Sequence, residues 1–420
     1  MRRVPVAALR RHSHHLKILS LNDEAYFKFK LSQFKCTNLI NLDIYVGEDC
    51  RKKQRPRSRG GGEGKPSAPR ARVALLDGKN FLRSNPMLKT LRWQGASVPA
   101  VVLDPEDIIG LHHLEDLWLE GWDCSDGRLV QVLRIVSGKL KKLTLGDLYS
   151  VRPEDFPAPL QRDDGQSDKD PGTGDAQEGL RLDNVEFLRW HCDKPGVDYL
   201  PHLVKCCPNL RTFDVYVDHE AWDSVRLADS FRSNCLNLDA LIISPAVQPH
   251  QAEALIRRCS SSGIRNLEIG FSSTEERVVS AILQHAATLE DLCVDESYFN
   301  MNDYVYPQLL IDFLCLPLLV GCTSLKRFSL KMGLIHGINE WVLWALKQQI
   351  WGCRGLQVLE LQYGFGLWSD RCTEAYEQEM ADLLSTMGWM RHRDLHKQER
   401  LFNLDILQAA FNLVQHQGLE

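Results

Sequence analysis

The chain has 420 residues, 44% of them apolar and 25% charged, with a formal net charge of −5. That balance is typical of a soluble folded protein, and no run approaches the roughly 18 consecutive apolar residues of a membrane span; Phe313 to Val320 is too short and contains Pro317. Arg2, Arg3, Arg10 and Arg11 enclose only Val4 to Leu9, which does not match a secretory leader, and thirteen scattered cysteines without a glycosylation sequon predict reduced thiols in the cytoplasm or nucleus.

One pattern recurs along the chain: an apolar residue, two others, an apolar, one other, an apolar. It falls at Leu16/Leu19/Leu21, Leu39/Leu42/Ile44, Leu88/Leu91/Trp93, Leu114/Leu117/Leu119, Leu140/Leu143/Leu145 and Val185/Leu188/Trp190. It continues at Leu210/Phe213/Val215, Leu238/Leu241/Ile243, Ile264/Leu267/Ile269, Leu289/Leu292/Val294, Leu325/Phe328/Leu330 and Leu356/Leu359/Leu361. First residues lie 23 to 31 positions apart, except for gaps of 49, 45 and 36. Removing the basic stretch 51–72 and the acidic stretch 157–178 brings the two largest gaps close to the others. The remaining period matches the roughly 20–29 residues of a leucine-rich repeat.

A strand alternates its side chains, so the last two apolar residues of each unit point into a core and their neighbours face solvent. Helical patterns follow over Ala228 to Asn234, Gln251 to Arg258, Gln308 to Leu314 and Glu340 to Ile350. Ser273 and Glu276 form a capping box opening a helix to His285, with Val278, Ile282 and Leu283 on one face. The expectation is an α/β leucine-rich-repeat solenoid (horseshoe) over 1–365, with a parallel β-sheet on its concave face and helices outside. A helical cap is expected over 366–420. Leu9, His12 and Leu16 match Ile282, His285 and Leu289 in spacing, so the chain is read as opening inside a repeat, with His12 a corner residue like His285.

Cysteine stands three residues before the first apolar position in five of the twelve units: Cys36, Cys207, Cys235, Cys322 and Cys353. The overall frequency of 13 in 420 does not produce that, so the corner selects a small, mildly polar side chain. The phrases KCCPNLRTFDV, SNCLNLDALII, VGCTSLKRFSL and WGCRGLQVLEL resemble the cysteine-containing repeats of F-box/leucine-rich-repeat proteins. LWLEGWDCSDGRLVQVL, with Cys124, Asp126 and Leu129, is similar to one whole repeat of that family. The resemblance implies a substrate held by the repeats and an F-box docked on the SKP–cullin ubiquitin-ligase scaffold. No F-box segment is evident: the first repeat begins at Leu16, which implies that an F-box and cap are missing or that something else covers that end.

The segment from Cys50 to Arg72 carries nine Lys/Arg against one Glu, which reads as an import signal, a nucleic-acid contact or a solvated loop. Arg162 to Glu178 holds six acidic residues against two basic ones; it lacks the terminal Glu and fixed Gly of a calcium loop. Apparent active-site strings fail on inspection. His392-Arg393-Asp394-Leu395 has Glu399 where a kinase catalytic loop needs Asn, and Pro66 follows the Gly-Lys of 60–65 where a phosphate loop needs a hydroxyl. Neither His12, His14 and His15 nor the pairs His191/Cys192 and Cys206/Cys207 have zinc spacing.

The sequence therefore predicts no catalytic residue, cofactor or metal, and a protein partner on the concave face. The candidate contacts are Arg92, Trp118, Lys142, Phe187, Arg189, Asp214, Tyr216, Ile242, Glu268, Asp291, Arg327 and Glu360, with Trp118 and Tyr216 as leading anchors. A ubiquitin-ligase substrate receptor, or a derivative without the F-box, is the first functional expectation. A Ran-type GTPase activator and nucleic-acid binding through the basic stretch are the alternatives. Membrane binding is not expected. The chain without Arg51 to Arg72 carries −13, which disfavours nucleic acid.

Overall fold

The computed structural model describes residues 11–21, 36–46, 79–95, 101–102, 104–156, 179–192, 199–217, 222–243, 247–260, 262–270, 276–295, 316–332, 352–363 and 401–402. The chain divides into two compact units, one of residues 1–213 with 233–236, the other of 214–232 with 237–420.

In the first unit every repeat with the apolar triplet supplies one strand: β1 (Ile18–Leu21), β2 (Asn41–Val46), β3 (Thr90–Gly95), then, past the two-residue β4 (Val101–Val102), β5 (Asp116–Glu120). The short β6 (Trp122–Asp123) precedes β7 (Lys142–Gly146) and β8 (Phe187–Cys192). The six long strands pair in chain order, all parallel, with the triplets in register: Leu19, Leu42, Leu91, Leu117, Leu143 and Leu188 form one line across the sheet. Leu21, Ile44, Trp93, Leu119, Leu145 and Trp190 form the next. Both lines are buried. Parallel neighbours need a crossover, and the crossover helices cover this apolar face. Helices α1 (Pro105–Ile108), α2 (Arg128–Val136) and α3 (Leu200–Lys205) belong to it. In α2, Leu129, Val132, Leu133 and Val136 are buried at the spacing of one helical face.

The boundary between units falls inside β9 (Thr212–Val217). The second unit contains most of α4 (Ser224–Asn234), then β10 (Ala240–Ile243), α5 (Pro249–Arg258), β11 (Asn266–Gly270), α6 (Glu276–Leu283) and β12 (Asp291–Asp295). It continues with α7 (Leu316–Gly321), β13 (Arg327–Met332), β14 (Val358–Tyr363) and β15 (Leu401–Phe402). Strands β10 to β14 repeat the same parallel register, with Leu241, Leu267, Leu292, Phe328 and Leu359 in line. β15 pairs antiparallel with β14 inside the stretch read as a helical cap; the rest of 366–420 lies outside the described residues, as do Gln308 to Leu314, Glu340 to Ile350, Ser273 and both charged insertions. Helix α5 starts two residues before its sequence-based boundary because Pro249 is pre-set for a first helical turn and Gln251 returns its side chain to the Gln248 amide at 3.2 Å. Helix α6 buries Val278, Val279, Ala281 and Ile282, whereas Leu283 is only half-buried.

The cysteine corner has a specific geometry. Its residue opens a turn whose carbonyl accepts the amide of the first leucine of the triplet, as in Cys207 to Leu210 (3.2 Å), Cys322 to Leu325 (3.3 Å) and Cys353 to Leu356 (3.1 Å). Thiols at this position are buried; Cys207 Sγ lies 3.5 Å from the Leu203 carbonyl, and Cys235 Sγ 3.3 Å from the Cys207 carbonyl of the preceding turn. One residue before the leucine, an amide or hydroxyl reaches back one repeat: Asn38 to the His14 carbonyl, Asn209 to Asp183 and Ser324 to Ala287, at 2.7–3.0 Å. These turns are thus tied to the ones before them, and the carbonyls they reach are satisfied.

Where the residue is not cysteine the corner is filled otherwise. Asn85 is buried and caps the Phe81 carbonyl at 2.7 Å. Before β1 the corner residue is the buried Ser13; His12 is exposed and does not reproduce His285 as the spacing suggested. Spacing matched the two histidines, but burial assigns the position to the serine.

Candidate functional site

On the sheet face opposite the leucines, each strand presents three residues: one before, one between and one after the two inward positions. In the first unit the middle row reads Ser20, Asp43, Arg92, Trp118, Thr144 and Arg189. The row before it contains Asn41, Thr90, Asp116, Lys142 and Phe187, and the row after it Tyr45, Gln94, Glu120, Gly146 and His191.

Arg92, Trp118, Lys142, Phe187 and Arg189 therefore lie on one face of the sheet, on neighbouring strands. Their partners were not among the candidates. Asp116 takes the Arg92 guanidinium at 2.9 Å, and that guanidinium lies 5.8 Å from the Trp118 ring centre. Trp118 Nε1 donates to Glu120 at 3.3 Å. Arg189 stands 5.8 Å from the Phe187 ring centre. Charge on the ring face attracts the cation, and the planar guanidinium gives up little freedom by lying there. A Cβ on Gly146 would come within 2.9 Å of Glu120 Cγ, so the glycine is what lets Glu120 lie over β7. Asp116 and Glu120 follow the same rule that found Trp118, being the residues just outside the two inward leucines, and that spacing was a usable signal.

In the second unit the middle row is Ile242, Glu268, Cys293, Ser329 and Glu360, with Asp291 and Arg327 adjacent in the row before. Ile242, Glu268 and Asp291 are half-buried and Arg327 is exposed; Glu360 sits on the backbone of β14. On β9, Tyr216 is exposed, but Asp214 is only 6% exposed. Its burial removes Asp214 from the accessible candidates, since a carboxylate so placed is engaged by its own protein and offers a partner almost no surface.

At the strand entry, beside this face, runs a line of charges that the sequence reading passed over: Lys89, Glu115, Lys141 and Glu186 in the first unit, Asp239, Arg265, Glu290 and Lys326 in the second. Each repeat places one residue there, and its carbonyl accepts two amides of the next repeat, as the Lys89 carbonyl does from Glu115 (2.8 Å) and Asp116 (3.0 Å). Signs alternate. Glu115 bridges Lys141 at 3.1 Å and Lys89 at 3.4 Å; Glu290 meets Lys326 at 2.7 Å and Asp239 meets Arg265 at 3.9 Å. The hydrogen bond from Lys141, then that from Lys89, holds the Glu115 carboxyl below its usual range, and Lys326 does the same for Glu290.

The corner thiols are placed poorly for nucleophilic chemistry. Burial pushes the Cys206, Cys235, Cys259 and Cys322 thiols up to about 12 and Cys353 to about 11, far from the thiolate form a nucleophile or ligand requires. Cys124 and Cys207 are raised by the same cause. Of the nine cysteines whose side chains the structure describes, eight are buried and Cys293 is half-buried. No group of three or more His, Cys, Asp or Glu among the described residues could hold a metal ion, and no described helix is long and apolar enough to cross a membrane. Among the described residues, the outward face carries ring faces, cations and carboxylates beside Thr144, His191, Cys293 and Ser329.

No family model and no curated protein matches the sequence. Among solved structures, the leucine-rich repeat-containing protein LegL7 of Legionella pneumophila is similar at 10% identity and a TM-score of 0.38, covering 88% of this chain and 97% of its own. An internalin of Listeria monocytogenes is similar at 9% identity and a TM-score of 0.32, covering 86% of this chain and 89% of its own. The repeat architecture itself rests on the in-register parallel strands and their buried triplets.

Proposed function

We propose that this chain is a protein-recognition module, and specifically the substrate-receptor part of a ubiquitin ligase of the SKP–cullin type, acting in the cytoplasm or nucleus. The single observation that supports recognition most strongly is the outward row of the first unit. Arg92, Trp118 and Arg189 share one register line on a rigid sheet, and aromatic and arginine side chains held in place are the anchors that dominate protein interfaces. Preorganisation reduces the entropy cost of ordering them on binding. The ligase assignment rests on the five cysteine corners, which resemble those of F-box/leucine-rich-repeat proteins and here precede β2, β9, β10, β13 and β14. Buried, unpaired thiols fit a reducing compartment.

The test is affinity capture with the full chain, Trp118→Ala and Tyr216→Ala, scored for partners and for the SKP-type adaptor. Recognition through this face predicts partners lost with Trp118→Ala while the fold, followed by circular dichroism, is kept. Partner sets identical in wild type and both variants would discard the face. Absence of the adaptor from every capture would discard the ligase role alone.

A further inference from the structure

Resting on the protein-recognition reading, we propose that the β1 to β3 part of the first unit's outward face takes an arginine of the partner protein. The incoming guanidinium lies on the Tyr45 ring and is held by the Asp43 carboxylate.

A filled version of this site stands two strands away. On β5, Asp116 and Trp118 are two residues apart on one face, and together they hold Arg92 of β3, with the carboxylate at 2.9 Å and the ring centre at 5.8 Å. A planar guanidinium can lie on a ring and still aim its N–H groups sideways at a carboxylate, which an ammonium does less well. The same order, an aspartate and then an aromatic residue two positions on, occurs at Asp43 and Tyr45 on β2 and at Asp214 and Tyr216 on β9. On β9 the carboxylate is buried and engaged. On β2 it is left unmatched. Arg92 faces Asp43 directly in the register, but its guanidinium is drawn to Asp116 on the other side. Ser20 of β1 also faces Asp43, and Gln94 of β3 faces Tyr45; neither brings a charge. Asp43 is half-buried and, among the described residues, has no cation within ion-pair distance. The ring beside it is open: Tyr45 is 51% exposed, and Ile18, on the adjoining β1, is 66% exposed and offers an aliphatic contact next to the site. Asp43 and Trp118 share one register line two strand spacings apart, on the order of 10 Å, so a single partner segment reaches both. A polyanion such as a nucleic acid would meet like charge at Asp43.

The experiment selects binders from a phage-displayed library of random twelve-residue peptides against the full chain, then compares each enriched peptide with a form in which arginine is replaced by citrulline, which keeps the shape and removes the charge. Enriched peptides are expected to carry an arginine whose citrulline form binds about fivefold more weakly, or worse, in fluorescence anisotropy. Asp43→Asn, isosteric and neutral, is expected to bring that ratio below about twofold, and Tyr45→Leu to lower it in part. The ratio is taken within one protein, so a variant that loses part of its folded population does not move it. An arginine preference kept in full by Asp43→Asn would overturn the site. Peptides that lose binding with Trp118→Ala yet bind equally in both forms would overturn it too and leave protein recognition standing. Peptides indifferent to Asp43→Asn, Tyr45→Leu and Trp118→Ala alike would overturn both. A selection that enriches nothing overturns the arginine-site proposal.

Discussion

The two units are built on the same strand register but present different outward faces. Across β2 to β8 the first unit sets Tyr45, Trp118 and Phe187 among Arg92, Lys142 and Arg189. The second has its exposed Tyr216 on β9, but across β10 to β13 it presents no aromatic residue; Glu268, Asp291 and Asp295 crowd that part, with Arg327 alongside. Inward positions are equivalent in the two and outward positions are not. Packing fixes the former, because each inward residue contacts the same kind of neighbour in every repeat. Nothing in the core constrains the latter, so the outward rows are where a repeat protein records its partner.

Four measurements test that contrast. The largest effect belongs to the part the units share: Leu119→Ala in the first and Leu292→Ala in the second should each cost about 2–5 kcal/mol in urea denaturation, since both sites are fully buried. A cost below about 1 kcal/mol at either would show that its core is not packed as described. Next comes the part they do not share. Trp118→Ala should weaken partner binding by about 2 kcal/mol or more, while Glu268→Ala against the same partner changes it by less than about 1 kcal/mol. Equal losses would erase the distinction between the faces.

The third separates the units by acid. His285 Nδ1 accepts the Ile264 amide at 3.2 Å, so Nε2 donates to the Ile256 carbonyl at 2.6 Å, an arrangement only the neutral ring satisfies. Burial holds its pKa below the ordinary 6.5, against a smaller opposing effect of the Ile256 bond. The folded state then binds fewer protons than the unfolded one, so this contribution is complete above pH 6.5 and is lost as pH falls below it. Urea midpoints at pH 8 and pH 5.5 should differ more for the wild type than for His285→Gln. An unchanged pH dependence in the variant would remove the histidine from the account. The exposed His12 gives the first unit no counterpart at its own corner. The smallest effect is expected at the entry-edge charges: Lys141→Glu should lower the melting temperature slightly at low salt and not measurably at high salt, because both side chains are exposed. A salt-independent loss would mean that the ladder does more than decorate the surface.

Much of the fold was legible because the two inward residues of each strand obey one rule in all twelve repeats; Leu42, Leu117 and Phe328 are recognised by spacing alone. The cysteine corner was legible for the same reason, as a fixed position with a narrow choice of side chain. What escaped was written once, or depended on three dimensions. β4 and β6 are two residues each, and their pairing of Val101 with Trp122 leaves no periodic trace. Nor does the edge-to-face contact of Trp93 and Trp122, 5.2 Å between centres, with Trp122 Nε1 donating to the Trp93 carbonyl at 3.2 Å. Asp214 was misjudged because outward register does not guarantee exposure. Asp116 was overlooked as a partner because pairing across neighbouring strands joins residues about a repeat apart in sequence, as Arg92 and Asp116 are; Glu120, two residues from Trp118 on the same strand, was within reach of a local reading.

The alternating charges at the strand entry also bear on how such an array can grow. Take out the repeat that contributes Glu115, and Lys89 would face Lys141 across one strand spacing; copy it, and two glutamates would meet. Either change inverts the order of signs for every repeat beyond it relative to those before. Removing or duplicating two consecutive repeats leaves the order intact. Within the run from Lys89 to Lys326, a change of one repeat therefore sets like charges side by side at one junction, and a change of two does not.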